Sequence, residues 1–129
     1  MKMLPMLAWG CLLAVACADA KQLAEKRLQQ VGAKTLREDA ARLYKNVFAG
    51  RKSDFEEVKA SDWPRSFRQF APRHVGAYPD GLSLALSGDR RAESGLYIVP
   101  AEMEHTPVST ARASFQQLAE GVYWYSFAP

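Results

Sequence analysis

The apolar positions of this chain follow a helical period up to about residue 70 and a strand period from about residue 73 onwards. One set of apolar residues recurs at intervals of four, three and four, the spacing of one helix face: Leu36, Ala40, Leu43 and Val47. Thr35 and Glu38 have the spacing of a capping box at the start of this face, and Gly50 is a natural end because glycine readily terminates a helix. The pattern predicts a helix over residues 36–49.

Weaker helical patterns lie on both sides of this segment. Residues 20–31 carry a looser apolar stripe, which fits either a helix or part of a tether. A second capping-box spacing predicts a short helix over residues 53–59. A further short helix is expected after Pro64, which suits a first helical turn, with Phe67 and Phe70 on one face.

Strand signals dominate the second half of the chain. Four segments alternate apolar and small residues or are rich in aromatic and β-branched residues: 73–78, 82–87, 96–100 and 121–127. Residues 101–120 have no clear period, apart from one helical turn expected at 114–119. Helices followed by strands predict an α+β fold, with N-terminal helices and a three- to four-stranded antiparallel sheet that is covered on one face.

The first 16 residues have the layout of a secretory signal. Lys2 precedes an apolar run that extends to Ala16, and small residues follow it. This run is too short for a membrane-spanning helix, which needs about 20 apolar residues. The chain of 129 residues has room for one domain. We therefore predict a signal peptide at 1–16, a lipid-anchored tether or loose helix at 17–35, and a single α+β domain at 36–129.

The sequence LAVAC at 13–17 resembles the lipobox of bacterial lipoproteins, although its leucine lies one place further from the cysteine than in the commonest pattern. The resemblance implies that Cys17 is lipidated and becomes the new N-terminus. The protein would then be exported and anchored in the cell envelope, facing the periplasm. Cleavage after A-C-A at 16–18 or A-D-A at 18–20 would instead give a secreted soluble protein, and an uncleaved anchor is a third alternative.

The cysteine content limits the chemistry of the mature chain. There are two cysteines, and Cys11 lies in the segment that either cleavage removes. At most one cysteine remains, so an internal disulfide, a thiol-based metal site and a cysteine nucleophile are excluded. Lys and Arg number 17 against 14 Asp and Glu, a net charge of +3 that does not predict nucleic-acid binding.

Candidate catalytic residues are few. The sequence has neither the G-x-S-x-G turn of serine hydrolases nor the glycine-rich loop that binds phosphates. Glu102 and Glu104 would share a face of an extended segment while His105 points away, so no metal site is predicted. His74 lies on the first expected strand. A hydrolase using either histidine should place it within about 3 Å of a carboxylate in a cleft.

Two groups of residues are candidates for ligand binding. Aromatic and cationic side chains alternate in the first group, which includes Trp63, Arg65, Arg68 and Arg73. Guanidinium groups beside aromatic rings suit anionic ligands, but such aromatic residues also commonly pack a helix onto a sheet. In the second group, strand alternation places Trp124 on the core face and both Tyr123 and Tyr125 on the other. We expect Trp124 to be buried and at least one of these tyrosines to be partly exposed.

The order of short motifs, from WP at 63–64 to GVYWYSF at 121–127, resembles small exported bacterial proteins without an assigned activity. The resemblance implies no catalytic residues and no cofactor. The sequence therefore favours a non-enzymatic envelope lipoprotein or secreted module that binds a partner or supports an assembly. Expected partners are the membrane, through a lipid on Cys17, and an envelope protein or glycan. The alternative is a small envelope hydrolase that uses His74 or His105 with a nearby carboxylate.

Overall fold

The computed structural model describes residues 19–49, 54–89 and 91–128. The expected signal peptide, Cys11, Cys17, the helix end at Gly50 and the capping residue Ser53 lie outside these ranges. Within them, no helix combines the length and the apolar character needed to cross a membrane.

Two helices joined at one glycine begin the described chain. The described part of helix α1 covers residues 19–31, and α2 covers Ala33–Val47. Gly32 has a φ of 88°, a left-handed conformation that glycine adopts without steric cost, and it separates the two helices. The predicted cap at Thr35 is wrong, because α2 begins at Ala33 and has no side-chain hydrogen bond at its N-cap.

Helix α1 belongs to the folded domain. Its residues Ala24 and Leu28 are 2% and 6% exposed and lie in the same apolar core as Leu36 and Leu43 of α2. Of the two alternatives for this segment, a helix or a tether, the structure shows the helix. Helix α1 therefore packs onto the same core as α2.

Six strands form one sheet, confirming the α+β class with strands after the first helices. They are β1 Glu56–Val58, β2 His74–Tyr78, β3 Gly81–Ser87, β4 Ser94–Ile98, β5 Ala113–Ala119 and β6 Val122–Phe127. The order across the sheet is β1-β2-β3-β4-β6-β5, and every neighbouring pair is antiparallel. A 3₁₀ turn, Ala60–Asp62, and a short helix α3, Arg65–Arg68, connect β1 to β2.

The two strands beyond the expected four replace predicted helical segments. β1 lies where a helix was expected over 53–59, because Val58 pairs with Val75 and is buried in the core. β5 lies where a helical turn was expected at 114–119. A tight turn with Gly121 at a φ of 71° folds this segment back onto β6, and pairing with that strand overrides the helix preference of Gln and Leu.

The sheet has two apolar faces of different composition. The helices cover the face that carries the main core, whose strand residues include Val75, Leu82, Leu84, Leu96, Ile98, Val122 and Trp124. We call the opposite side the open face, because α1, α2 and α3 pack on the other side; its central side chains are nevertheless buried. A second cluster lies on it, composed of Tyr97, Val99, Tyr123 and Tyr125, with Tyr78, Met103, Phe115 and Phe127 packed around them.

Polar anchors hold α2 against its neighbours. Arg37 donates from Nε to the carbonyl oxygen of Val99 at 2.9 Å and from Nη2 to that of Met103 at 3.3 Å. The Ser66 hydroxyl of α3 donates to the buried Asp39 carboxylate at 2.6 Å. These bonds fix the helices relative to the sheet and to the chain after β4.

Candidate functional site

Small residues make room for aromatic rings on the open face. A Cβ atom added to Gly76 of β2 would lie 2.7 Å from Cε1 of Phe55, and one added to Gly81 would lie 2.5 Å from Cε2 of Tyr97. Both distances are shorter than a carbon contact allows, so each ring occupies space that a side chain would otherwise fill. Glycine at these positions leaves space for large aromatic side chains over the sheet.

These rings form a continuous band. Their centroids are 5.1 Å apart for Phe55–Tyr78, 6.2 Å for Tyr78–Tyr97, 5.4 Å for Tyr97–Phe115, 6.4 Å for Tyr97–Tyr125 and 4.7 Å for Tyr125–Phe127. We call these six residues the aromatic band. It runs from the residue before β1 to β5, across the full width of the sheet, at separations typical of aromatic pairs.

Two carboxylates accept hydrogen bonds from the tyrosine hydroxyls of the band. Tyr125 donates to Oε2 of Glu93 at 2.6 Å, and Tyr97 donates to Oδ1 of Asp80. Burial, followed by these hydrogen bonds, raises the pKa of both tyrosines well above the usual value near 10. Burial also raises the pKa of Tyr78. The three hydroxyls therefore stay protonated, and those of Tyr97 and Tyr125 use their one proton in the bonds to Asp80 and Glu93.

Each of these carboxylates also contacts a histidine. Nε2 of His74 lies 2.5 Å from Oε1 of Glu93, and Nε2 of His105 lies 2.9 Å from Oδ2 of Asp80. The Glu93 side chain is only 12% exposed, whereas that of Asp80 is 48% exposed. The open face thus carries two chains of the same kind, His74–Glu93–Tyr125 and His105–Asp80–Tyr97. Both histidines satisfy the distance expected of a histidine–carboxylate pair.

The chemistry available to these chains is proton transfer and hydrogen bonding. With Glu93 ionised and accepting from Nε2 of a neutral His74, the other ring nitrogen keeps its lone pair and can act as a base. In the described ranges, no group of three or more His, Cys, Asp or Glu residues is arranged to hold a metal ion.

The residues expected to bind an anion are separated from the open face. Trp63 packs against the main core and donates from Nε1 to the carbonyl oxygen of Val58 at 3.0 Å. Arg68 donates to the carbonyl oxygens of Trp63 and Ser61, at 3.1 and 3.2 Å. Arg65 is exposed on α3. Trp63 therefore has a structural partner in β1, and Arg68 has partners in the segment between β1 and β2.

The other predicted ligand residues lie elsewhere. Arg73 precedes β2 and donates to the carbonyl oxygen of Gly88. Trp124 is buried on the helix-covered face, as expected, at 9% exposed. The expectation of a partly exposed tyrosine is wrong, because Tyr123 and Tyr125 are 7% and 0% exposed. Their burial removes the exposed tyrosine surface on which their assignment as ligand-binding residues depended. The structure does not gather the six candidates into one site.

Sequence reasoning missed both carboxylates of the open face. Neither Asp80, in the turn between β2 and β3, nor Glu93, directly before β4, is among the candidates that the sequence analysis names. A usable signal existed for Glu93: extending the strand alternation of β4 backwards places it on the same face as Gly95 and Tyr97. No comparable local pattern links Asp80 to His105, which is 25 residues away in the chain (105 minus 80).

Comparisons of this chain with known protein families, with curated proteins and with solved structures find no match. The chemistry of the open face is therefore the basis on which a function is assigned.

Proposed function

We propose that the mature chain is a non-enzymatic, lipid-anchored module of the cell envelope that binds a glycan through the open face. The observation that carries the proposal is the aromatic band, which crosses a sheet face opposite the helices. Aromatic rings with a polar handle suit ligands that are partly apolar and partly hydrogen-bonding, as sugar rings are.

The exposure of the band favours a narrow ligand over a protein surface. A stable protein interface covers about 800 Å² on each partner and is usually centred on exposed apolar anchors. Phe55 is 47% exposed, but Tyr97 and Tyr125 at the centre of the band are 5% and 0% exposed. The accessible rings are that of Phe55 and, in part, those of Tyr78, Phe115 and Phe127. Each offers a contact of the size of a sugar ring rather than a broad apolar patch.

The charge of the open face restricts the ligand further. Glu57, which lies opposite Gly76 on the edge strand, adds a third carboxylate to Asp80 and Glu93. Carboxylates accept hydrogen bonds from hydroxyl and amide groups but repel phosphates and sulfates. We therefore propose a neutral or amine-bearing glycan as the ligand, although the chain as a whole has a net charge of +3.

Binding tests this proposal directly. Purified cell-wall sacculi and uncharged N-acetylglucosamine oligomers serve as probes, in co-sedimentation and isothermal titration calorimetry. Phe55→Ala should weaken binding by about tenfold, the effect of losing one well-placed aromatic contact. Leu23→Ala is the matched control, because Leu23 is also exposed but lies on α1. Equal binding by both variants, or no binding by the wild type, would contradict a glycan site on the band.

Lipid anchoring has its own test. If Cys17 carries the lipid, Cys17→Ser should move the protein from the membrane fraction to the soluble fraction. The intact mass of the wild type should include the added acyl groups. A wild-type mass without acyl groups would leave plain secretion as the better description.

A second candidate, a small envelope hydrolase, is favoured by the His74–Glu93 distance of 2.5 Å. In that case Glu93 would orient the imidazole, and His74 would remove a proton from the attacking water. His74→Asn should then lower the hydrolysis rate of an activated ester by about 100-fold or more. A glycan-binding module should show no histidine-dependent hydrolysis, so turnover lost in this variant would favour the hydrolase.

A further inference from the structure

The short distance in sequence between Cys17 and α1 restricts where a lipid anchor can place the domain. Residue 19 is already helical, and Ala24 and Leu28 of this helix are buried in the main core. Cys17 precedes residue 19 by two positions in the sequence. Two residues of chain span at most about 7 Å even when fully extended. An acyl group on Cys17 would therefore hold the beginning of α1 at the bilayer surface.

We infer that the domain rests directly on the bilayer through the end of the sheet next to the first turns of α1. This inference depends on the proposed lipidation of Cys17. The surface involved contains a shallow groove of about 150 Å³. Its lining is mostly apolar: Ala20, Leu23, Ala24, Phe70, Ala71 and Leu86, together with Arg27 and Gln69. We call these residues the anchor-side groove.

The composition of this surface fits a lipid headgroup region. Leu23 is 56% exposed. The other large apolar side chains described as exposed, Phe55 at 47% and Val108 at 75%, lie outside α1. Lys26 and Arg27, three and four residues further along the helix, are also exposed. Residues at these spacings share one side of a helix. An apolar side chain flanked by cations suits the boundary between acyl chains and anionic phosphates.

This placement orients the open face relative to the membrane. Leu86 of the anchor-side groove follows Ala85, which pairs with His74 at the start of β2. At the other end of β2, the Pro79 carbonyl accepts a hydrogen bond from Tyr44 of α2 at 2.6 Å. The His74–Glu93 pair therefore lies near the bilayer, and the His105–Asp80 pair lies about 15 Å further away, the length of a five-residue strand.

The test uses full-length protein purified from membranes and reconstituted in vesicles of three parts phosphatidylethanolamine to one part phosphatidylglycerol. Leu23→Cys and Lys45→Cys each carry an environment-sensitive fluorophore, and lipids with a spin label near the headgroup act as the quencher. Lys45 is the matched control, since it is also exposed on a helix but lies next to Tyr44 at the far end. The label at position 23 should be quenched at least about fivefold more than the label at position 45, because quenching requires contact with lipid.

Two further measurements separate the possible failures. Inserting a twelve-residue Gly-Ser linker between residues 18 and 19 should keep the protein acylated and vesicle-bound but abolish the difference between the two labels. Equal quenching of both labels in the acylated protein without the linker would overturn the direct seating and leave the lipid anchor intact. An intact mass without acyl groups would overturn both the anchor and the seating.

Discussion

Replacing Tyr125 with Phe isolates the central hydrogen bond of the open face. Tyr125 has no exposed surface, and its hydroxyl donates to Oε2 of Glu93 at 2.6 Å. The substitution keeps the ring and its contacts with Tyr97 and Phe127 but removes the donor. Glu93, whose side chain is 12% exposed, then keeps only His74 as a side-chain partner among the described residues.

The expected loss follows from the burial of this carboxylate. A hydrogen bond to a charged group contributes about 1.5–3 kcal/mol, and leaving a buried acceptor without a donor costs a similar amount. We expect the free energy of unfolding to fall by about 2 kcal/mol. A domain of this size has about 5–15 kcal/mol in total. The melting temperature should therefore fall by about 10 °C, given roughly 4–8 °C per kcal/mol for a domain of about 100 residues.

Urea unfolding followed by circular dichroism measures this loss, and the same strand provides a control. Tyr123 is 7% exposed and lies on the same face, but its hydroxyl makes no hydrogen bond to another described residue. Tyr123→Phe should change stability by no more than about 0.5 kcal/mol. In a Glu93→Gln background, Tyr125→Phe should cost less than in the wild type, because the acceptor is no longer charged. Equal stability of the two Tyr→Phe variants would refute the assigned role of Glu93.

Three further predictions concern the rest of the domain. Trp124→Ala should cost about 3–5 kcal/mol, because it leaves a large cavity in the main core, and near-wild-type urea unfolding would contradict its burial. Arg37→Ala should lower the free energy of unfolding by about 1.5–3 kcal/mol, because it leaves carbonyl groups such as that of Val99 without a donor. Arg37→Lys should not restore this stability, because an ammonium group cannot reproduce the guanidinium geometry. Full rescue by Lys would show that the charge alone matters. Alkaline pH should destabilise the fold: the tyrosines of the aromatic band have raised pKa values, so above about pH 10 only the unfolded chain loses these protons. Urea unfolding between pH 8 and 11 should show this decline, and a flat profile would contradict it.

The elements that the sequence predicts well are those whose own side chains form a repeating face. The apolar face of α2 recurs at helical intervals, and three of its four members, Leu36, Ala40 and Leu43, are buried. The same holds for β3, where Leu82 and Leu84 alternate with small residues and lie in the main core. A period within one segment reports which face will be buried, independently of the partner that covers it.

The elements that the sequence misses depend on a distant partner. Residues 113–119 contain good helix formers, and only the turn at Gly121 and the pairing with β6 make them a strand. The capping-box spacing at Thr35 predicts the wrong start for α2, which begins at Ala33. The left-handed backbone of Gly32 sets the start of α2, and a cap motif does not encode that conformation.

The candidate site was predictable only in part. His74 and His105 are identifiable from the sequence because histidines are rare in this chain. Their partners are not identifiable, since Glu93 is 19 residues from His74 (93 minus 74) in the chain. His74 begins β2 and Glu93 precedes β4, and β3 lies between these two strands in the sheet. Strand pairing across the sheet brings these groups together. The number and register of the strands therefore had to be known before either pair could be proposed.

The open face contains a histidine, a carboxylate and a tyrosine hydroxyl that are not needed to fill the space over the sheet. Rings alone could close this face, because the aromatic band already fills the space above Gly76 and Gly81. Placing the buried Glu93 beside Tyr125 adds the desolvation cost of a carboxylate, which the contacts with His74 and Tyr125 offset. Replacing a buried polar residue together with its polar partners by apolar residues of similar volume often leaves the stability of a fold unchanged or raises it by about 1–4 kcal/mol. If the triple variant His74→Leu, Glu93→Leu, Tyr125→Phe is at least as stable as the wild type but no longer binds the glycan probes, the polar chain serves binding rather than folding. A triple variant that does not fold would show instead that the chain supports the sheet, and the binding surface would then have to lie along the exposed edge at Phe55.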